Sequence, residues 1–216
     1  MRTFIAGTFT FLLSALTVQA ESVINLPGLE IRGAEKKRVE ATGNVSLTNG
    51  ILEFIAVEKG GRYYESLFTL DSKPSALKFA LLLIGCETND VPGDVKAAAR
   101  AGDRLRIEVE WQVGGKPKRV PVEKLLVNRK TKKSPTELAW VFTGSRFVKD
   151  IEGRDVFLAD AEQAFISLWW NPAVLINVAG EFGNPYHGDD QGFEVNAGAA
   201  PPKDTPIRLI FRKVSE

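Results

Sequence analysis

The sequence predicts an α+β fold: one domain of predominantly antiparallel sheet, with one short buried helix at about 74–84 packed on a central hairpin at about 51–70. Three observations predict it. Short runs of alternating apolar and polar residues, separated by Gly, Asn and Pro, have the period of half-buried strands. The stretch Ile51–Gly85 is the most continuously apolar part of the chain after the leader, so the core should form there. Strands, then a lone helix, then more strands give no βαβ alternation, which disfavours a doubly wound sheet.

Residues 1–20 read as a signal peptide and residues 21–216 as the domain. Arg2 starts a run that is apolar from Phe4 to Leu16, and Val18-Gln19-Ala20 has the small-x-small form of a cleavage site. The rival reading is an uncleaved anchor. The run is short for a bilayer, and nothing basic follows it as a stop-transfer signal. The expected location is therefore outside the inner membrane, periplasmic or secreted, with no transmembrane segment after cleavage. Losing Arg2 turns 28 basic residues into 27, against 27 acidic ones. That balance gives no bulk attraction to nucleic acid or anionic lipid, and no nucleic-acid partner is expected. Cys86 is the only cysteine, so one chain can form neither an internal disulfide nor a cysteine-ligated zinc or iron–sulfur site. No cofactor is expected.

In order along the chain, Leu29–Arg32 and Arg38–Ala41 read as strands around the charged turn Glu35-Lys36-Lys37. If Gly60-Gly61 is a two-residue hairpin turn, Lys59 pairs with Arg62 and Ile51 with Leu70. Alternation then puts Glu53 on one apolar face and Glu65 on the other. Asp71 or Ser72 can cap the following helix, with Pro74 in its first turn and Gly85 ending it. Only Lys78 is polar between Leu77 and Ile84, so this helix should be buried all round. Val91–Asp94 reads as a turn and Val95–Arg100 as one helical turn. Leu105, Ile107, Val109 and Trp111 point inward from the clearest alternating strand, which Gly114-Gly115 turns into Lys118–Pro121. Further strands are expected at Trp140–Phe147, Asp155–Asp160, Ala164–Trp170 and Ile207–Val214.

Several groups could carry chemistry. A carboxylate on an apolar face, as Glu53 and Glu65 would be, is costly unless partnered, and it can be a functional acid of raised pKa. Glu65, Asp160 and His187 are the candidates for catalysis by a hydrolase or metal-assisted enzyme, His187 being the only histidine. Asp189, Asp190 and Glu194 are the candidates for an oxygen-liganded cation, although their spacing matches no EF-hand loop. Between Lys116 and Lys133 eight basic residues face one acid, Glu123, with no aromatic residue among them such as a single-stranded nucleic-acid platform needs. One of Trp169 and Trp170 could be a surface platform for a sugar ring or a partner chain. No G-x-S-x-G elbow, P-loop or H-E-x-x-H occurs.

The blocks LEFIAVEKGGRYYESLFTLDSKPSALKFALLLIG, IEVEW, VPVEKLLVNRKTKK, WVFTGSRF, LADAEQAFISLWWNPAVLINV and PPKDTPIRLIF follow one another in this order. Together they resemble the YdjY-domain family of exported bacterial proteins over roughly Leu29–Lys213. The resemblance implies no established activity. It implies a cysteine in many members where this chain has Ala56, a histidine where it has Tyr64, and a glycine-rich stretch where it has Ala159–Gln163. A Cys-His-Glu site at those positions would retain only Glu65 here. The sequence therefore reads as a non-catalytic binding or interaction module of the cell envelope. Its expected partner is a ligand or envelope protein, met by loops 116–133 and 180–200; the hydrolase is the alternative.

Overall fold

The computed structural model describes residues 22–33, 37–88, 102–180, 182–187 and 191–214. The expected turns at 35–37 and 91–94 and the helical turn at 95–100 lie wholly or partly outside them. The fold is a closed β-barrel of eight strands. Around the ring come β3 (Arg38–Val45), β16 (Pro206–Lys213), β7 (Arg104–Val113), β10 (Trp140–Phe142), β14 (Ile176–Val178), β13 (Ala164–Ser167), β5 (Phe54–Glu58) and β6 (Ser66–Leu70). β6 closes the ring by pairing its Leu70 and Phe68 with Gly43 and Val45 of β3. The core cluster draws Ile55, Phe68, Val109, Phe142, Ile166 and Leu209 from six of these strands. A hairpin of β1 (Val23–Leu26) and β2 (Leu29–Arg32) extends from β3, and β8 (Lys116–Pro121) pairs with the far half of β7. β4 (Ile51–Leu52), β15 (Phe193–Val195) and β9 (Leu126–Asn128) form a separate three-stranded sheet.

This overturns the α+β expectation of a helix packed on a hairpin, because the hairpin does not exist. β5 and β6 are parallel, with Phe54 opposite Ser66 and Glu58 opposite Leu70. The chain returns within residues 59–65, far shorter than the dozen or so residues a parallel crossover usually takes. Gly60, at φ +100°, starts the reversal. At Gly61 a Cβ would lie 3.1 Å from the carbonyl oxygens of both Glu58 and Gln163, a tight passage that favours a residue without a side chain. A 3-10 turn at Tyr63–Glu65 completes the return. The physical reason lies in the composition. Strands apolar on both faces are what a parallel pair covered on both sides requires, and the Gly-Gly signal is local and indifferent to strand direction.

Helix α1 (Pro74–Leu83) ends as expected: Gly85 is left-handed, its N–H bonds to Leu82 O at 2.9 Å, and Cys86 N–H bonds to Leu81 O at 3.0 Å. It is not buried all round. Leu77, Ala80 and Leu81 face the core, while Phe79, Leu82 and Leu83 are about half exposed. It packs on β3 and on α2 (Leu158–Glu162), not on a hairpin. Neither Asp71 nor Ser72 caps it; the Asp160 carboxylate accepts the Ser75 N–H at 2.8 Å. The strand expected at Asp155–Asp160 stops at Phe157 as β12 (Asp155–Phe157), which pairs with β11 (Phe147–Lys149). Ser145, at φ +57°, separates β11 from β10. β7 keeps the expected alternation, with Leu105, Ile107, Val109 and Trp111 buried.

Candidate functional site

The crossover that joins β5 to β6 also builds the most concentrated side-chain chemistry among the described residues. Glu53 lies just before β5 and Glu65 at the end of the return, and Glu53 N–H bonds to Glu65 O at 3.0 Å. An antiparallel pairing would have sent the two carboxylates to opposite faces; the parallel return brings them together. Both are buried, 4% and 8% exposed. Arg62 lies between them, 3.1 Å from Glu53, 3.5 Å from Glu65 and 3.0 Å from Glu162 of α2. Its guanidinium also covers the Phe54 ring at 4.4 Å, beside a small second core of Phe54, Val57, Ala164 and Val174. The Asn184 amide donates to the second oxygen of Glu53, and its own oxygen accepts the Tyr186 N–H at 2.8 Å.

One cation therefore serves three carboxylates, two of them out of water. Burial first, then a hydrogen bond to Glu53 and the Glu53 charge, together raise the Glu65 pKa to about 7 against the opposing pull of Arg62. At neutral pH Glu65 holds a proton for part of the time.

Beside the Glu53–Glu65 pair stand all three tyrosines of the chain. Tyr63, Tyr64 and Tyr186 are 55%, 61% and 51% exposed, unusual for rings of this size. Tyr63 and Tyr64 meet edge to face with centroids 5.7 Å apart. The Tyr186 hydroxyl donates to Ile51 O at 3.3 Å, and its pKa is raised by burial and by the charges of Glu65 and Glu53.

Of the sequence candidates, Glu65 belongs to this site. Asp160 is engaged at the N-terminus of α1. Glu194 lies on β15 with Lys132 3.5 Å away. The His187 side chain, Asp189 and Asp190 lie outside the described residues, within which no three His, Cys, Asp or Glu side chains are grouped to hold a metal. Ala56 is fully buried in the barrel core while Tyr64 faces solvent. Cys86 is buried, and burial pushes its thiol up to about 11, far from the thiolate that redox chemistry uses. Trp169 and Trp170 follow the end of β13 and are both half-buried, so they do not divide between the faces of a strand. Sequence reasoning missed Arg62, Asn184 and Tyr186. The available signal was Arg62 itself, a cation between two apolar runs that each carry one carboxylate.

A groove of about 420 Å³ lies between Thr42, Asp71, Glu110, Trp111 and Arg208. Its acids are already engaged, Asp71 by Thr42 and Lys59 and Glu110 by Arg119.

Residues 33–212 match the model of the YdjY domain, which covers most of the chain, and the protein belongs to that family. No curated protein and no solved structure matches it. No helix among the described residues is long and apolar enough to cross a membrane.

Proposed function

We propose that this YdjY-domain protein is an exported, non-catalytic binding module whose recognition face is the tyrosine cluster above the Glu53–Glu65 pair. The observation that carries the reading is the gathering of Tyr63, Tyr64 and Tyr186, all exposed, around one rigidly tied site. Tyrosine supplies large amphipathic contact area at low entropic cost, which is why it concentrates in recognition surfaces. The acids beneath are occupied in holding the crossover in shape, through Arg62, Asn184 and each other. Asp160, which a hydrolase reading would use, is committed to the end of α1. Export rests on the leader-like residues 1–20 and the family resemblance.

The test is cosedimentation of the purified mature chain with bacterial envelope material. The wild type is expected in the pellet, and a Tyr63→Ala/Tyr64→Ala variant in the supernatant with unchanged circular dichroism. Equal pelleting of both proteins would remove this face from the function. Turnover of envelope polymer that is lost in Glu65→Gln would instead favour the hydrolase.

A further inference from the structure

The basic run and the tyrosines are far apart in sequence and adjacent in the fold. β9 pairs with β15, setting Asn128 opposite Phe193 and Val127 opposite Glu194, and β15 pairs in turn with β4, setting Glu194 opposite Ile51. Ile51 is the residue whose carbonyl holds the Tyr186 hydroxyl, and Glu194 is the residue that Lys132 meets. The Tyr186 hydroxyl and the Lys132 ammonium thus meet adjacent strands of one small sheet, and Arg129 is close enough to Tyr186 for its charge to act on the phenol.

The basic residues are not one loop. Lys116–Pro121 is β8, and only the turn after Asn128 stands at this face. That turn is well tied. The Asn128 side-chain oxygen accepts the N–H groups of Lys130 and Thr131 at 3.0 Å each, Lys132 N–H bonds to Asn128 O at 2.8 Å, and Asn128 N–H bonds to Lys133 O at 2.9 Å. Lys130, Lys132 and Lys133 are exposed on it, and among the described residues only Lys132 has a carboxylate partner. The acids under the tyrosines are buried or bound to Arg62. Among the described residues the charge on the turn beside the rings is therefore net positive, three lysines against Glu194, within a chain whose net charge is only +1.

We propose that this face binds an anionic polysaccharide: sugar rings pack on the exposed tyrosines while the polymer's acid groups pair with Lys130, Lys132 and Lys133. This rests on the recognition face proposed above and names its ligand class. Nucleic acid draws its affinity from many phosphate contacts, more than three lysines on a near-neutral protein supply, whereas a polysaccharide adds ring packing on exposed tyrosines to a few acid–lysine pairs. The Tyr63 and Tyr64 rings stand at 79° to each other, so they do not offer the stacked platform that successive bases use.

The experiment is a titration of the mature full-length chain with polygalacturonate oligomers, with the fully methyl-esterified oligomers, and with single-stranded DNA of equal charge. Polygalacturonate is expected to bind best, to weaken about tenfold as salt is raised, and to weaken comparably in the Lys130→Ala/Lys132→Ala/Lys133→Ala variant. Tyr64→Ala should weaken it at every salt concentration. No binding, equal binding of the esterified oligomer, or indifference to the lysine variant would overturn the ligand class. If Tyr64→Ala still lowered binding of the neutral oligomer, the tyrosine face itself would survive that result. Tighter binding of DNA would replace the polysaccharide with nucleic acid. Binding that neither variant changes would overturn class and face together.

Discussion

Two of the sites that bury glutamate in this protein do so in opposite ways. On the seam of β2, β3 and β16, Glu40 is 3% exposed and has three arginines within reach: Arg38 at 2.6 Å, Arg208 at 3.0 Å and Arg32 at 3.3 Å. At the crossover, two buried glutamates and Glu162 share Arg62 alone. At the seam three arginines converge on one buried carboxylate, two of them also reaching the more exposed Glu30 and Glu110. The crossover is short of cations, so a proton takes the place of a second cation. Convergent compensation makes an inert strut, whereas shared compensation makes a site that responds to pH and to neighbouring charge.

Removing Arg62 should break that contrast most severely. Arg62→Ala leaves two buried carboxylates unopposed and uncovers Phe54, with an expected loss of about 3 kcal/mol near neutral pH by denaturant unfolding. Part of the loss should return on acidification, as the pair takes up protons. A loss no larger than that of a surface ion pair would mean the crossover does not depend on this cation.

The pH dependence of the unaltered protein should show the next largest effect. The Glu65 pKa is raised to about 7 from 4.5. Between those values the folded state binds more protons than the unfolded chain, so stability should fall as pH rises from about 4.5 to about 7 and level off above. The drop is at most about 3 kcal/mol. Glu65→Gln should flatten the profile over that window, and a wild-type profile that is already flat there would refute the protonated-Glu65 account.

Smaller effects sharpen the comparison. Arg208→Ala leaves Arg32 and Arg38 on Glu40 and should cost about 1 kcal/mol, well below Arg62→Ala in the same assay. Asp160→Ala removes the acceptor at the start of α1 and should also cost about 1 kcal/mol. Lys132→Ala should change stability by less than about 0.5 kcal/mol, because its pair with Glu194 is exposed. A larger loss would give the basic turn a structural purpose and weaken its reading as a binding element.

Much of the chain was legible one element at a time. The inward residues of β7, the glycine that ends α1 and the core position of Ile51–Gly85 follow from local period and backbone preference. The break at Ser145 and the helical turn at Leu158–Glu162 carried no comparable signal, so two strands were expected to run too far. The half-exposed face of α1 was missed because an all-apolar helix gives no polar stripe to mark the outside. Of the site, Glu65 and its tendency toward a raised pKa could be read from a carboxylate in an apolar run. Its partners could not.

What the sequence determined by itself was a β-rich domain, its family, a core around residues 51–85 and a lone cysteine without redox company. These follow from composition, from period and from residues near one another in the chain. The direction of β6 relative to β5, the closure of the ring through β3 and β6, and the meeting of Glu53, Arg62, Asn184 and Tyr186 were decided only by the tertiary structure. The reason is physical: a strand's own residues specify which faces it must bury, while its partner and direction are settled by which closure covers every face at once.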